Sequence, residues 1–153
     1  MKRRYYLAYG SNLNIQQMSV RCPLAKPVGD VVLKDYELLF RGNHGSAVAT
    51  VEPKDGAVVP CALWLITAKD EAALDVYEGY PHFYRKEMVS VQLGKRSMRV
   101  MVYVMNDGHA IALPSMGYLR TILDGYKDFG LGTVALDRAL RQSLKPSAPY
   151  WPS

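Results

Sequence analysis

The chain begins with a short aromatic and aliphatic run that ends in a tight turn. Residues 4–9 read Arg-Tyr-Tyr-Leu-Ala-Tyr, and the turn that follows consists of Gly10, Ser11 and Asn12. Such a run, bounded by turn-forming residues, predicts a buried β-strand. Asn14 and Gln17 then have the spacing of a helical capping box, and Pro23 predicts the end of that helix after about two turns. We therefore expect the turn to lie at the N-terminus of a short helix.

The middle of the chain alternates strand-like segments with turn signals. The predicted strands cover residues 28–40, 47–52, 58–67, 84–93 and 98–105. Turn-forming residues at 42–45 and 53–56 separate the first three strands, which should pair as antiparallel neighbours. Gly94 and Lys95 join the last two strands in a hairpin. Between these two groups, apolar residues at helical spacing and two acids near the start predict a short helix over residues 68–77.

The last third of the sequence changes to a helical period. The apolar residues on one helical face are Leu119, Ile122, Leu123 and Tyr126, and a later four-residue repeat consists of Leu136, Leu140 and Leu144. These spacings predict two closing helices within a single domain of residues 1–145. Residues 146–153 contain three prolines and are predicted to form an extended tail. Strands first and helices last favour an α+β fold, with a small mixed, barrel-like β-sheet and flanking helices.

Length and composition place the chain among ordinary globular proteins. Its 153 residues fit one domain, and 49% of them are hydrophobic while 22% are charged. The 19 Lys and Arg against 14 Asp and Glu leave a net charge of +5, and the basic residues are scattered along the chain. A nucleic-acid binder that stacks bases on exposed tyrosines is therefore a weak alternative, and we predict no nucleic-acid partner.

No segment predicts export or membrane insertion. The longest nearly apolar run covers residues 57–68 and is interrupted by Pro60, whereas a membrane-spanning helix needs about 20 apolar residues. We therefore expect a cytoplasmic protein with no membrane partner, in which Cys22 and Cys61 are reduced and mostly buried. Neither cysteine has a metal-binding spacing with a histidine, so we predict no metal and no cofactor. The pattern leaves the oligomeric state open.

The turn after the first strand is a candidate anion-binding loop. Gly10 permits a ligand to approach the backbone closely, and successive amides at a helix N-terminus can hold an anion. The alternative is an ordinary strand-to-helix turn, because a Gly-Ser-Asn sequence is common in turns.

Glu78 is a candidate general acid and base. The aromatic residues near it in the sequence are Tyr77, Tyr80, Phe83 and Tyr84. A carboxylate walled by aromatic rings loses contact with water, so its pKa should rise toward neutrality, where it can both accept and donate a proton. The alternative is an exposed carboxylate at a helix end, or one that pairs with Arg85 or Lys86.

Tyrosine is frequent, with 11 Tyr against 3 Phe. Tyr84, Tyr103 and Tyr118 fall in predicted elements, where a ring can stack on a ligand and a hydroxyl can bind it. The alternative for each of them is an amphipathic residue of the core or the surface.

Three motifs follow one another along the chain. The first is Tyr9-Gly10-Ser11-Asn12-Leu13, and the second is Leu74-Asp75-x-Tyr77-Glu78-Gly79-Tyr80-Pro81-x-x-Tyr84. The third is Pro114-Ser115-x-x-Tyr118, followed by Ile122, Gly125, Gly130 and Leu131. Each motif alone is weak, but their order and spacing together resemble the gamma-glutamylcyclotransferase-like family. That family includes gamma-glutamylamine cyclotransferases and a cyclotransferase of the butirosin-pathway type.

The resemblance implies an enzyme with a small barrel-like α+β fold and a cavity. In the implied reaction, the α-amine of a small-molecule γ-glutamyl substrate attacks its γ-carbonyl and releases 5-oxoproline with a free amine or amino acid. Glu78 would be the catalytic acid and base, and no metal or cofactor is implied. The substrate-binding residues would be Tyr9, Gly10, Ser11, Asn12, Leu13, Tyr84 and Tyr118. The alternative is a non-catalytic protein of this fold that binds or regulates a small metabolite.

One segment departs from the family pattern. Where the family often has a glycine inside a strand, this chain reads Val59-Pro60-Cys61. We expect this departure to alter strand pairing or the shape of the pocket at that point, outside the three motifs.

Overall fold

The computed structural model describes residues 2–145, and the predicted tail over residues 146–153 lies outside this range. The strands are β1 (Arg3–Ala8), β2 (Lys26–Arg41), β3 (Val48–Thr67), β4 (Tyr84–Leu93) and β5 (Arg96–Met105). The helices are α1 (Ile15–Arg21), α2 (Ala68–Glu78), α3 (Met116–Phe129) and α4 (Val134–Leu144). One hydrophobic core joins residues from all parts of this range, which supports the single domain that we propose for residues 1–145.

The five strands form one mixed sheet in the order β2-β3-β1-β5-β4. Strand β1 runs parallel to β5, and the other neighbouring pairs are antiparallel. The two edge strands, β2 and β4, approach each other, so the sheet curls without closing. This arrangement confirms the predicted α+β class with a small mixed, barrel-like sheet and flanking helices.

The predicted strands over residues 47–52 and 58–67 form one strand, β3, which pairs antiparallel with β2, so the turn predicted between them at residues 53–56 is wrong. Strand β3 continues through this segment, where its four residues 54–57 oppose a single residue of β2 and the register shifts between Lys34 and Tyr36. Asp35 lies between them with φ of 63°, and its Oδ1 accepts a hydrogen bond from the Gly56 amide at 2.9 Å. A β-bulge therefore replaces the turn and bends the strand.

The segment that departs from the family pattern keeps its strand pairing. Pro60 pairs with Val32, and Cys61 pairs with Val31 on β2. On the other side of β3, strand β1 ends with Ala8 opposite Ala62 and does not reach Pro60. The N–H group that Pro60 lacks is therefore not needed for pairing with β1. Both cysteines, Cys22 and Cys61, are buried and unpaired, as expected.

The predicted helix over residues 68–77 is confirmed and extends by one residue to Glu78. Thr67 and Asp70 form a reciprocal capping box at its start. Gly79 ends the helix in the left-handed conformation, with φ of 66°, which a residue without Cβ adopts at little cost. Glu78 is thereby held at the very end of α2. The predicted β4–β5 hairpin is also confirmed, with a turn at Gly94.

Helices α3 and α4 are where the apolar periods predicted them, although two of the expected inward residues are exposed. Ile122 and Leu136 are fully buried, but Leu123 is 37% exposed and Leu144 is 65% exposed. A spacing of eight residues overshoots two full helical turns by about 80°, so Leu144 rotates away from the face that carries Leu136. The buried position in that last turn is Ser143 instead.

Gly125 lets α3 approach the chain that follows β1. A Cβ at this position would lie 2.6 Å from Leu13 Cβ and 2.7 Å from the Asn14 amide nitrogen, so only glycine fits without movement of the backbone. Gly117, on the first turn of the same helix, has no neighbouring atom within 4 Å of its notional Cβ. The two glycines of α3 therefore differ in how closely other residues approach them.

We predict opposite effects for alanine at these two glycines. Gly125→Ala should lower the free energy of unfolding by about 1–3 kcal/mol, because it overpacks a fixed backbone contact. Gly117→Ala, the control, should leave stability unchanged or raise it by up to about 1 kcal/mol through helix propensity. Urea titrations followed by circular dichroism measure both. Equal stability of the two variants would contradict a tight contact at Gly125.

Candidate functional site

A cavity of about 230 Å³ lies between the end of β1, the end of α2 and the start of α3. Most of the predicted site residues line it together, namely Tyr9, Gly10, Ser11, Asn12, Glu78, Tyr84 and Tyr118. The other lining residues are Tyr6, Val48, Ala49, Tyr77, Phe83 and Tyr103. The three sequence motifs therefore converge on one space, although they are far apart along the chain.

Three of the lining residues were not singled out from the sequence. Val48 and Ala49 stand at the start of β3 and belong to no motif, so no sequence signal marks them. Tyr6 could have been found from the two-residue period of β1, because Tyr6 and Ala8 share one strand face near the turn. Tyr77, Phe83 and Tyr103 were already noted as aromatic neighbours of Glu78 or as candidate tyrosines.

Leu13 was expected to bind substrate, but the structure does not place it among the residues that line the cavity. Its side chain is fully buried in the core rather than in the cavity, and it packs against Gly125. Its amide donates to the Gly10 carbonyl at 3.0 Å, closing a 3₁₀ turn over Ser11–Leu13. Both its side chain and its amide are therefore committed to the fold. The row of amides expected to bind an anion in this loop therefore lacks the amide of Leu13.

The loop was expected to lie directly at the N-terminus of α1, but it does not. The 3₁₀ turn stands between them, and the first amide of the helix, that of Ile15, donates to Asp128 Oδ2 at 3.0 Å. Asn14 caps the helix as predicted by accepting from the Gln17 amide at 3.0 Å. The amides of Ser11 and Asn12 donate to no acceptor within residues 2–145. These two N–H groups remain available to a ligand.

Glu78 is partly buried, and within residues 2–145 its carboxyl group accepts a hydrogen bond from the loop after β1. Its Oε1 accepts a hydrogen bond from Asn12 Nδ2 at 3.3 Å, and the same nitrogen donates to the Tyr6 hydroxyl at 2.8 Å. Burial raises the pKa of Glu78 to about 7, while the positive charge of Arg21 and the Asn12 hydrogen bond lower it. A carboxyl group with this pKa exchanges its proton readily near neutral pH.

The alternative in which Glu78 pairs with Arg85 or Lys86 is wrong. Arg85 pairs with Glu87 at 2.7 Å, its neighbour but one on β4. Lys86 binds Glu71 at 2.7 Å and Asp75 at 2.9 Å. Both basic side chains are therefore occupied by other carboxylates. Glu78 stays without a direct ion pair within residues 2–145.

The tyrosine hydroxyls of the cavity differ in what they can offer a ligand. Tyr9 donates to the Tyr103 carbonyl at 2.7 Å, and Tyr84 donates to the Ala49 carbonyl at 2.6 Å, so both protons are committed. The Tyr118 hydroxyl instead accepts from the Ala49 amide at 3.0 Å, and the Tyr6 hydroxyl accepts from Asn12. Burial raises the pKa of both, so Tyr6 and Tyr118 are neutral and keep a proton to donate.

The site thus combines one proton-exchanging carboxyl group with several neutral hydrogen-bond donors. Such a set suits a substrate that carries anionic or carbonyl oxygens and loses or gains a proton during the reaction. Among residues 2–145, no cluster of three or more His, Cys, Asp or Glu side chains could hold a metal ion. No helix in the same range is long and apolar enough to span a membrane.

Comparison with known proteins agrees with the motifs and the fold. The family model described as "Gamma-glutamyl cyclotransferase, AIG2-like" matches residues 6–120. A Bos taurus protein named gamma-glutamylcyclotransferase is 29% identical over 136 residues, which cover 82% of this chain and 71% of that protein.

Two solved structures show the same fold. One, described as a gamma-glutamyl cyclotransferase, has a TM-score of 0.81 and 24% identity, with 98% of this chain and 92% of the other covered. The second is the human uncharacterized protein loc79017, with a TM-score of 0.78 and 23% identity over 100% of this chain and 94% of the other. At these identities the two likenesses show the fold alone.

The raised pKa of Glu78 predicts a pH-dependent cost to stability. Above about pH 7 the carboxyl group is ionised in both states, and burying the charge destabilises the folded protein. Below the ordinary value of 4.5 it is neutral in both states, and the cost disappears. Glu78→Gln should therefore raise the free energy of unfolding at pH 8, and the gain should shrink as the pH falls from 7 to 4.5.

Urea titrations at pH 8, 6 and 4.5 measure this difference against wild type. Glu37→Gln, on β2 and not part of the cavity wall, serves as the control and should show no comparable pH dependence. A constant difference between Glu78→Gln and wild type across this range would contradict a raised pKa for Glu78.

Proposed function

The chain belongs to the gamma-glutamyl cyclotransferase, AIG2-like family, and we propose that it is an enzyme that converts a γ-glutamyl amine or γ-glutamyl amino acid to 5-oxoproline and a free amine. The observation that carries this proposal is the position of Glu78. Its carboxyl group has a pKa raised to about 7 and lies in a cavity that also holds the loop after β1. This is the group that the reaction needs.

The reaction moves two protons from the α-nitrogen of the substrate to the leaving nitrogen, and one carboxyl group can relay both. The ionised Glu78 accepts a proton from the substrate α-ammonium group, which leaves a neutral amine. The amine nitrogen attacks the γ-carbonyl carbon, and a C–N bond forms that closes a five-membered ring. The protonated Glu78 then donates its proton to the leaving nitrogen as the old C–N bond breaks. Ionised again, Glu78 accepts the second proton from the ring nitrogen, which leaves the neutral lactam, and passes it to the released amine, which departs as an ammonium ion. Glu78 returns to its starting state, and no water is consumed.

The cavity offers separate donors for the negative charges of the substrate. Ser11, Asn12 and Tyr118 line the same cavity as Glu78, and the amides of the first two and the hydroxyl of the third donate to no acceptor within residues 2–145. The substrate presents an α-carboxylate, and an oxyanion develops on its γ-carbonyl during attack. Preorganised donors of this kind stabilise an oxyanion by about 3 kcal/mol each in other enzymes. These donors therefore account for both binding and rate.

The cavity also suits a reaction in which the substrate must fold back on itself. Because nucleophile and electrophile belong to one molecule, correct orientation replaces a collision, and such reactions reach effective molarities on the order of 10⁵ to 10⁸ M. Tyr9 and Tyr84 have their hydroxyls fixed to backbone carbonyls, which makes the walls rigid. We propose that these walls hold the folded conformer of the γ-glutamyl group.

The first experiment measures release of 5-oxoproline from a panel of γ-glutamyl amino acids and γ-glutamyl amines. Glu78→Gln keeps the shape of the side chain but removes the acid and base, so turnover should fall by roughly 10² to 10⁴. Glu37→Gln, outside the cavity, should retain wild-type turnover. The acid limb of kcat/KM for wild type should lie near pH 7, because the ionised form of Glu78 is required.

Each result of this panel has a distinct meaning. The best substrate identifies the class of leaving amine. Wild-type turnover by Glu78→Gln would remove Glu78 from the mechanism. If a folded wild-type protein releases no 5-oxoproline but binds panel members, the site is a metabolite-binding site and the enzymatic proposal is wrong.

A side chain at Gly10 should obstruct the substrate. A Cβ there would lie 3.3 Å from Ala49 Cβ and 3.4 Å from the Tyr118 hydroxyl, so the two further methyl groups of valine would enter the cavity. Gly10→Val should raise KM by roughly tenfold or more. Gly132→Val, at a position with open space outside the cavity, is the control and should leave KM unchanged. An unchanged KM for Gly10→Val would mean that the loop is only a turn.

A further inference from the structure

Arg21 is a charged residue next to the site that no motif marked. It is the last residue of α1, and it does not line the cavity. Its guanidinium group donates through Nη1 to Asn12 Oδ1 and through Nη2 to Gln17 Oε1 at 2.9 Å. Its centre also lies 3.5 Å from the centroid of the Tyr77 ring, stacked over its face. One side chain therefore contacts both the loop after β1 and the end of α2.

The contact with Asn12 determines which way its carboxamide points. An arginine side chain has five N–H donors and no acceptor, so it can donate only to the oxygen end of the amide. With Oδ1 held by Arg21, the Nδ2 end must face the Tyr6 hydroxyl and Glu78 Oε1, as the structure shows. A flipped amide would place its oxygen against the carboxylate of Glu78 and repel it. Arg21 removes that alternative.

The contact with Tyr77 helps to position Glu78, whose carboxyl group accepts the hydrogen bond from Asn12. Tyr77 directly precedes Glu78 at the end of α2, and its hydroxyl lies 2.9 Å from Ser11 Oγ. Arg21 thus holds Asn12 by a hydrogen bond and the residue beside Glu78 by a cation–π contact. The distance between the Asn12 amide and the Glu78 carboxyl group depends on both contacts.

We propose that Arg21 is a positioning residue for Glu78, which fixes the Asn12 carboxamide so that its nitrogen faces the carboxyl group and clamps the end of α2 against the loop after β1. This inference rests on the proposed function, in which Glu78 is the acid and base. Arg21 acts through Asn12 and Tyr77, and it touches neither the cavity nor a substrate in it.

The charges around Glu78 make Arg21 the side chain to test. The titratable groups that face the cavity from other elements are Tyr6, Tyr9, Tyr84, Tyr103 and Tyr118. Burial raises the pKa of each of them, so all are neutral. Asp75, one turn earlier on α2, is bound by Lys86 and by the Tyr103 hydroxyl. Arg21 therefore supplies the positive charge that lowers the pKa of Glu78.

Two variants separate the charge of Arg21 from its geometry. Arg21→Met removes both, so the pKa of Glu78 should rise above the wild-type value and kcat should fall by roughly tenfold or more. Arg21→Lys keeps a positive charge but loses the planar fork of donors. Its Glu78 pKa should rise less than in Arg21→Met, because only the hydrogen bond from Asn12 is lost, while kcat still falls. KM should change little in either variant, because Arg21 does not line the cavity.

The measurements include a readout that does not need turnover. The pKa of Glu78 is followed by NMR with ¹³C-labelled Glu carboxyl groups, assigned with Glu78→Gln. The side-chain NH₂ signals of Asn12 should follow this titration in wild type and lose the dependence in both Arg21 variants. Arg138→Met, on the exposed face of α4, is the matched control and should leave titration and kcat unchanged. A role limited to stability would lower the unfolding midpoint and leave the titration as in wild type.

The outcomes distinguish the two proposals. If wild type shows no turnover, the proposed function fails, and the NMR titrations still decide the role of Arg21. If folded Arg21→Met keeps the wild-type pKa of Glu78, kcat and Asn12 signals, the positioning role is overturned. If Arg21→Met does not fold, Arg21→Lys decides: a wild-type Asn12 response overturns the proposal, and its loss supports it.

Discussion

The carboxyl group of Glu78 is removed from water by aromatic rings, and the rest of the site compensates for that burial. A buried carboxylate needs hydrogen-bond donors, and the structure provides Asn12 Nδ2 at 3.3 Å together with the nearby charge of Arg21. Complete compensation would lower the pKa to an ordinary value, and a lack of it would keep the group neutral at all working pH values. The balance leaves the pKa at about 7, where one group can serve as both base and acid.

This balance depends on how the sheet brings distant segments together. The parallel contact between β1 and β5 sets Tyr6 beside Tyr103, with ring centroids 5.8 Å apart, and both rings wall the cavity. Helix α2 ends at Glu78, before Gly79, so the Glu78 side chain meets the loop after β1 at Asn12. Gly125 allows α3 to press against that loop from the other side. Each of these contacts fixes one wall of the cavity, and a shift in any of them would change how Glu78 is solvated.

Local elements and motifs could be predicted from the sequence because their causes are local. Periodicity indicated α2 and α3, capping indicated α1, and the three motifs indicated most of the cavity wall. Long-range packing decided the rest. Leu13 belongs to a motif, but its side chain fills the core because α3 meets the chain there at Gly125. The turn expected at residues 53–56 became a bulge because β3 pairs with β2 on both sides of it, up to Pro53 and again from Val58. Arg21 gained its partners only when α1 and α2 came together.

The many tyrosines of the cavity wall also serve the burial of the Glu78 carboxyl group. A wall of phenylalanines would bury Glu78 equally well, but it would leave the carbonyls of Ala49 and Tyr103 without the donors that Tyr84 and Tyr9 supply. Unpaired carbonyls in a cavity would attract water and lower the cost of ionising Glu78. Tyrosine satisfies the backbone while its ring excludes water, so the walls stay both dry and rigid. A site that must hold a folded-back substrate beside a half-ionised carboxyl group needs both properties at once.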